Sequence, residues 1–206
     1  MKVKIESWAD GGVIPSKFAF GKIPAVGRFE LADNISPAIS WSDAPEGTQS
    51  FAIICHDPDV PSKPDDVNQE GKVVPADLPR VDFYHWVLVN IPASVSSIEE
   101  GAASKGVTPR GKPPGMKPHG LAGKNNYTDW FEGDPTMGGI YGDYDGPCPP
   151  WNDSILHHYH FTVYALDMPQ IDLGFDFGGP QALAAIKKHT LTQASYVGTY
   201  TMNRDL

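Results

Sequence analysis

Cysteine is scarce in this chain. Two residues, Cys55 and Cys148, among 206 are too few for a disulfide framework, and neither stands in a CxxC pair that would point to zinc or redox chemistry. Both are expected to be buried thiols. Positive charge is also short: 16 Lys plus Arg face 25 Asp plus Glu, for a formal charge of −9. Binding to nucleic acid or an anionic membrane surface needs a basic footprint, so neither is an expected partner, although a local pocket for one small anion stays open. No apolar run reaches the roughly 18 residues that a membrane span needs. The opening MKVKIESWADGGVIP has neither the apolar stretch nor the small-residue cleavage site of a secretory signal. The expectation is a cytoplasmic protein without integral membrane contact.

Turn-forming residues are plentiful instead, with 21 Gly and 20 Pro, so helices should be few and loops many. A hydrophobic share of 40% supports one substantial core, and a single domain over residues 1–206 is expected. Three segments read as strands: SFAIICHD from Ser50, FYHWVLVNIPAS from Phe83, closed by Pro92, and HHYHFTVYALD from His157. GRFELAD and PAISWSDAP suggest shorter ones. One helix is expected in GPQALAAIKKHTLTQA, with Pro180 in the first turn and Leu183, Ile186 and Leu191 at roughly helical spacing, followed by a last strand in SYVGTYTM. Two connections are long, PSKPDDVNQEGKVVPADLPRVD and the Gly- and Pro-rich stretch from Gly101 to Pro150. Loops of that length in a compact domain tend to carry function, and the aromatics of NNYTDWFEGD should dock on the body.

The histidines of the third strand divide by face. Alternation puts His157, Tyr159, Phe161 and Val163 on one side and His158, His160, Thr162 and Tyr164 on the other. His158 and His160, an HxH pair, would suit a metal given a third ligand. His157 and Tyr159, an imidazole N–H beside a phenol O–H, would suit an oxyanion. The first strand ends in CHDPD, with Asp57 and Asp59 on a proline-stiffened turn, and the second carries His85. If Asp57 accepts from His85, it fixes the imidazole tautomer and leaves the other nitrogen for a ligand. GPCPP, just before the third strand, would form a rigid rim through Pro149 and Pro150. His56, His119 and His189 have no patterned partner and read as surface residues.

DPDVPSK (57–63), YHWVLVNIP (84–92) and GPCPPWNDSILHHYHFTVYALD (146–167), in this order and spacing, resemble the phosphatidylethanolamine-binding protein family, specifically its bacterial Raf-kinase-inhibitor-like branch. The resemblance runs through most of the chain. It implies a large central antiparallel β-sheet packed on a smaller sheet, with an α-helix near the C-terminus. It also implies an anion pocket for phosphate-like head groups, carried over onto Asp57, Asp59, His85, Pro149, Pro150, His157 and Tyr159, with Tyr141 or Tyr144 at the rim. In that pocket the aspartates would orient the histidines and keep them protonated. The expected protein is therefore a binding protein and regulator with a small anionic ligand and a protein partner such as a kinase or protease. No catalytic residue, metal or cofactor is expected. The alternative is a hydrolase in which Asp57 and His85 activate water against a phosphoester or acyl group, though neither GxSxG nor HExxH is present. Trp130, Phe131 and Trp151 form an aromatic group open to two readings, a homodimer contact and a lid over the pocket.

Overall fold

The computed structural model describes residues 1–174 and 176–206. The strands in chain order are β1 (Lys2–Lys4), β2 (Gly12–Val13), β3 (Gly21–Lys22), β4 (Glu30–Leu31), β5 (Ile39–Ser42), β6 (Ser50–Pro61), β7 (Arg80–Pro92), β8 (Ser97–Ile98), β9 (Gly115–Lys117), β10 (Gly120–Ala122), β11 (His157–Leu166) and β12 (Thr190–Tyr200). Two α-helices, α1 (Tyr127–Trp130) and α2 (Gly179–Ile186), complete the regular structure with one short 3-10 turn at Ser16–Phe18. None of the helices among the described residues is long and apolar enough to cross a membrane.

Seven strands form the main sheet in the order β2, β12, β11, β6, β7, β10, β9. Every pairing in it is antiparallel except the short β2 edge, which runs parallel to β12 and makes the sheet mixed. A three-stranded sheet, β1, β5, β8, packs on one face, where Ile39, Trp41 and Ile98 meet Phe51, Ile53, Trp86, Leu88, Phe161 and Val163. On the opposite face Ala182 and Ile186 of α2 join Ile171 and Phe177 against Ala52, Ile54, Tyr84, Val87 and Val89. Because both faces are covered, β6 and β7 are buried at consecutive positions rather than alternate ones, which is why their sequences read as unbroken apolar runs. The mostly β architecture, with a smaller sheet against a larger one and a helix near the C-terminus, is the one expected from the sequence.

The helix is shorter than the spacing suggested. It ends at Ile186, whose carbonyl accepts from the Thr190 hydroxyl at 2.9 Å, and Leu191 lies on β12, 43% exposed. Thr190 and Thr192 are β-branched and pair with β11, and that ladder outcompetes one more helical turn.

Candidate functional site

Three adjacent strands converge at one end of the main sheet. β6 supplies Asp57, β7 supplies His85, and β11 opens on His157 and Tyr159. The alternation along β11 is the one the sequence predicted: His157, Tyr159, Phe161 and Val163 are at most 1% exposed, while His158 is exposed and His160 half-buried. Asp57, His85, His157 and Tyr159 share the floor of a cavity of about 820 Å³. Pro149 and Pro150 form one wall with Cys148, and Phe20, Phe83 and Tyr127 form another, with the Phe20 and Tyr127 rings stacked at 4.4 Å. Trp130, Phe131 and Trp151 all line the mouth.

His157 lies between two carboxylates. Nδ1 is 2.7 Å from Asp57 Oδ2 and Nε2 is 3.1 Å from Asp153 Oδ2. Burial works against the charged ring, but the bonds to Asp153 and Asp57 outweigh it and push the His157 pKa up to about 9. At neutral pH the ring is an imidazolium with both N–H groups donating. Asp153 also accepts both terminal nitrogens of Arg80, at 2.6 and 3.0 Å. Burial would raise its carboxyl, yet His157 and Arg80 hold it below the ordinary range. Asp57, His157, Asp153 and Arg80 thus alternate in sign, which is how buried charges escape most of their desolvation cost.

His85 behaves in the opposite sense. It is 3% exposed, and burial pulls its pKa down to about 4 against weaker upward pulls from Asp57 and two backbone carbonyls. Its Nδ1 stands 2.8 Å from the carbonyl oxygen of Asp145. The carbonyl, rather than Asp57, therefore holds this ring, and Asp57 serves His157. Asp145 is itself anchored: its carboxylate accepts from Lys112 at 2.7 Å, Asn34 at 2.7 Å and Asn125 at 2.9 Å. Gly146 follows, its N–H donating to Asn34 and its carbonyl accepting from the Tyr127 hydroxyl. A Cβ at Gly146 would run into the Phe18 carbonyl oxygen, so the rim lies this close to the body only with glycine there.

The outer wall is fastened through Asn152. Its Oδ1 accepts from the Asn68 N–H at 2.9 Å, its Nδ2 donates to the carbonyls of Asp66 and Lys72, and Asn68 Oδ1 accepts in return from the Trp151 N–H. The connection between β6 and β7, read as a long polar insert, is therefore an ordered wall of the cavity.

Of the residues the sequence singled out, Asp57, His85, Pro149, Pro150, His157 and Tyr159 come together, and Asp59 does not. Its carboxylate turns outward to the backbone N–H and Nδ1 of His158, both at 2.9 Å. The β6/β7 register shifts between Asp57 and Val60, and this irregularity breaks the alternation that would have put both aspartates on one face. Tyr141 and Tyr144 are fully buried, with hydroxyls donating to Met137 and Phe18 carbonyls, and neither lines the cavity. Tyr127 does. Sequence reasoning missed it together with Asp153, Arg80 and Asp145. Two carried a signal: Asp153, four residues before His157, and Tyr127, among the aromatics expected to dock on the body.

A mostly β domain with a buried, charge-ordered floor under an aromatic-lined cavity defines the class of protein. The chain belongs to the phosphatidylethanolamine-binding protein family, whose model matches residues 4–201. It is 30% identical over 200 residues to a UPF0098 protein of Methanothermobacter thermautotrophicus, covering 97% of this chain and 98% of that one. To the UPF0098 protein YbhB of Escherichia coli it is 30% identical over 201 residues, covering 98% and 100%. Among solved structures it is similar in fold to Escherichia coli YbcL, described as a member of the mammalian family, with a TM-score of 0.69, 24% identity and 97% of each chain covered. A homologue of the family from Chlamydia trachomatis superposes with a TM-score of 0.64 at 25% identity, over 97% of this chain and 95% of that one.

Proposed function

We propose that this protein is a single-domain binding protein whose cavity takes a small molecule with an acidic, phosphate-like head on the floor and an apolar body against the aromatic mouth. One observation carries the reading: the Tyr159 hydroxyl is buried at the cavity floor without a well-formed hydrogen bond among the described residues, although the Asp57 carboxylate lies near enough to help raise its pKa. A buried hydroxyl left unpaired costs about 1–3 kcal/mol, which a ligand oxygen would recover. The aromatic walls account for the body of the ligand, since such pockets bury most of an occupant's apolar surface.

In this reading the protein regulates through occupancy of the cavity, by itself or with a protein partner such as a kinase or protease, rather than by catalysis. Cys148 is the one thiol in the lining, and burial pushes its pKa up to about 12, so it is a poor nucleophile. The two free thiols, Cys55 and Cys148, suit a cytoplasmic location.

Isothermal titration with phenyl phosphate near about pH 6 tests this, since the phosphate there still keeps part of its second proton. Saturable binding that falls about tenfold or more in Tyr159→Phe is expected. Absence of binding, or binding equal in the variant, counts against it.

A further inference from the structure

Five histidines stand on the three central strands β6, β7 and β11, and two of them are left unengaged. His85, His157 and His158 each hydrogen-bond to a carbonyl or carboxylate oxygen. His56 on β6 and His160 on β11 have no such bond among the described residues, and they are neighbours. The register of the sheet puts His160 directly opposite His56, with ring centres 5.3 Å apart and 25° between the planes. Both project from the outer face, each one residue out of step with a side chain of the cavity floor, Asp57 and Tyr159. Asp82 of β7 joins them there, its Oδ1 3.8 Å from His56 Nε2, beyond hydrogen-bond length.

This spacing suits a shared metal ion. With metal–nitrogen bonds of about 2.0–2.1 Å and roughly 90–110° between the two nitrogens at the ion, the ring centres of two imidazoles fall about 4.5–5.2 Å apart. The pair stands just above that range. The outer torsion of a histidine side chain is soft, so a turn of the rings aims one nitrogen of each at a common point without moving the backbone. The separation from Asp82 likewise falls within the roughly 3–4 Å between two ligand atoms of one ion. Among the described residues no three ligating side chains are already gathered around one point, so the site is an open one, with water completing the coordination. The formal charge of −9 favours a cation at the surface, and imidazole donors favour late first-row ions over Mg²⁺ or Ca²⁺, which take oxygen ligands. His158 stays out of this arrangement, because its Nδ1 and its backbone N–H are both held by Asp59. The partner of His160 therefore comes from the next strand and not from the HxH spacing.

We propose that His56 and His160 form a cross-strand binding site for a divalent late first-row transition ion, of the nickel, copper or zinc class, with the Asp82 carboxylate beside it. The site lies across the sheet from the cavity and does not depend on what the cavity binds.

The test is calorimetric titration of the whole untagged chain, first stripped with a chelator, with Ni²⁺ and separately with Mg²⁺. One Ni²⁺ per chain and no saturable Mg²⁺ binding are expected. His56→Ala and His160→Ala should each weaken Ni²⁺ binding at least about tenfold, the scale of a lost metal contact, and His158→Ala should leave it unchanged. Absence of saturable Ni²⁺ binding, an equal response to Mg²⁺, or a loss in His158→Ala as large as in His160→Ala overturns the site. Proton NMR of the unsubstituted protein gives a readout that no folding defect can imitate. Substoichiometric Cu²⁺ should broaden the ring signals of His56 and His160 before those of His119, His158 and His189, and broadening that begins at any of these three overturns the proposal.

Discussion

His85 and His157 lie on the same cavity floor, equally removed from water, and end in opposite states. His157 meets a carboxylate at each nitrogen and is charged, while His85 meets a carbonyl at one nitrogen and is neutral. Burial is common to both, so burial alone predicts neither. The partner at each ring nitrogen decides the charge, and those partners come from different walls: Asp57 and Asp153 beside β11, Asp145 beside β7.

The most damaging way to disturb this contrast is Asp153→Ala, which strips a partner from His157 and from Arg80 at once. Breaking a buried ion pair by removing one member costs about 3–5 kcal/mol, and the midpoint of chemical denaturation should fall accordingly. The pH dependence of stability comes next. The folded pKa of His157 lies above its unfolded value, so the stability it adds is complete below about pH 6.5 and is lost as pH rises through about 9. For His85 the shift is downward, so its contribution is complete above about pH 6.5 and is lost as pH falls through about 4. Each limb is worth on the order of 3 kcal/mol. Denaturation measured across pH should lose its alkaline limb in His157→Gln and its acid limb in His85→Gln; one substitution flattening both limbs would show that the two rings titrate as a unit.

Tyr159→Phe is a smaller change with two opposed readouts. Removing a buried hydroxyl that has no well-formed hydrogen bond should change stability by no more than about 1 kcal/mol, while phosphate binding weakens. Smallest of all are His158→Ala and His160→Ala on the outer face, expected within about 0.5 kcal/mol of the parent in stability and equal to it in phosphate affinity. A binding loss there as large as in His85→Gln would mean that the face assignment fails.

The sequence carried this floor unevenly. The face of β11 was legible because alternation is a local rule, and His157 and Tyr159 obey it. Asp57 and His85 were legible as the polar residues ending two apolar strands. Asp59 was misplaced because a shift in strand register leaves no mark in residue types. Arg80 and Asp153 are 73 positions apart, and His85 and Asp145 are 60 apart. No periodicity connects residues at such separations, so the sequence named the rings but not the groups that set their charge. Leu191 failed for a related reason: its spacing fits a helix, but Thr190 and Thr192 on either side of it pair with β11.

The clasp between Asn68 and Asn152 joins positions 84 residues apart. Contacts that span so much chain form late in folding, after the loop-closing entropy has been met elsewhere. A ribosome must therefore deliver β7 and the whole 101–150 segment before the cavity acquires its outer wall. The β6/β11 pairs of the main sheet span still more chain, so ligand affinity during refolding should appear together with the closed sheet and not before it.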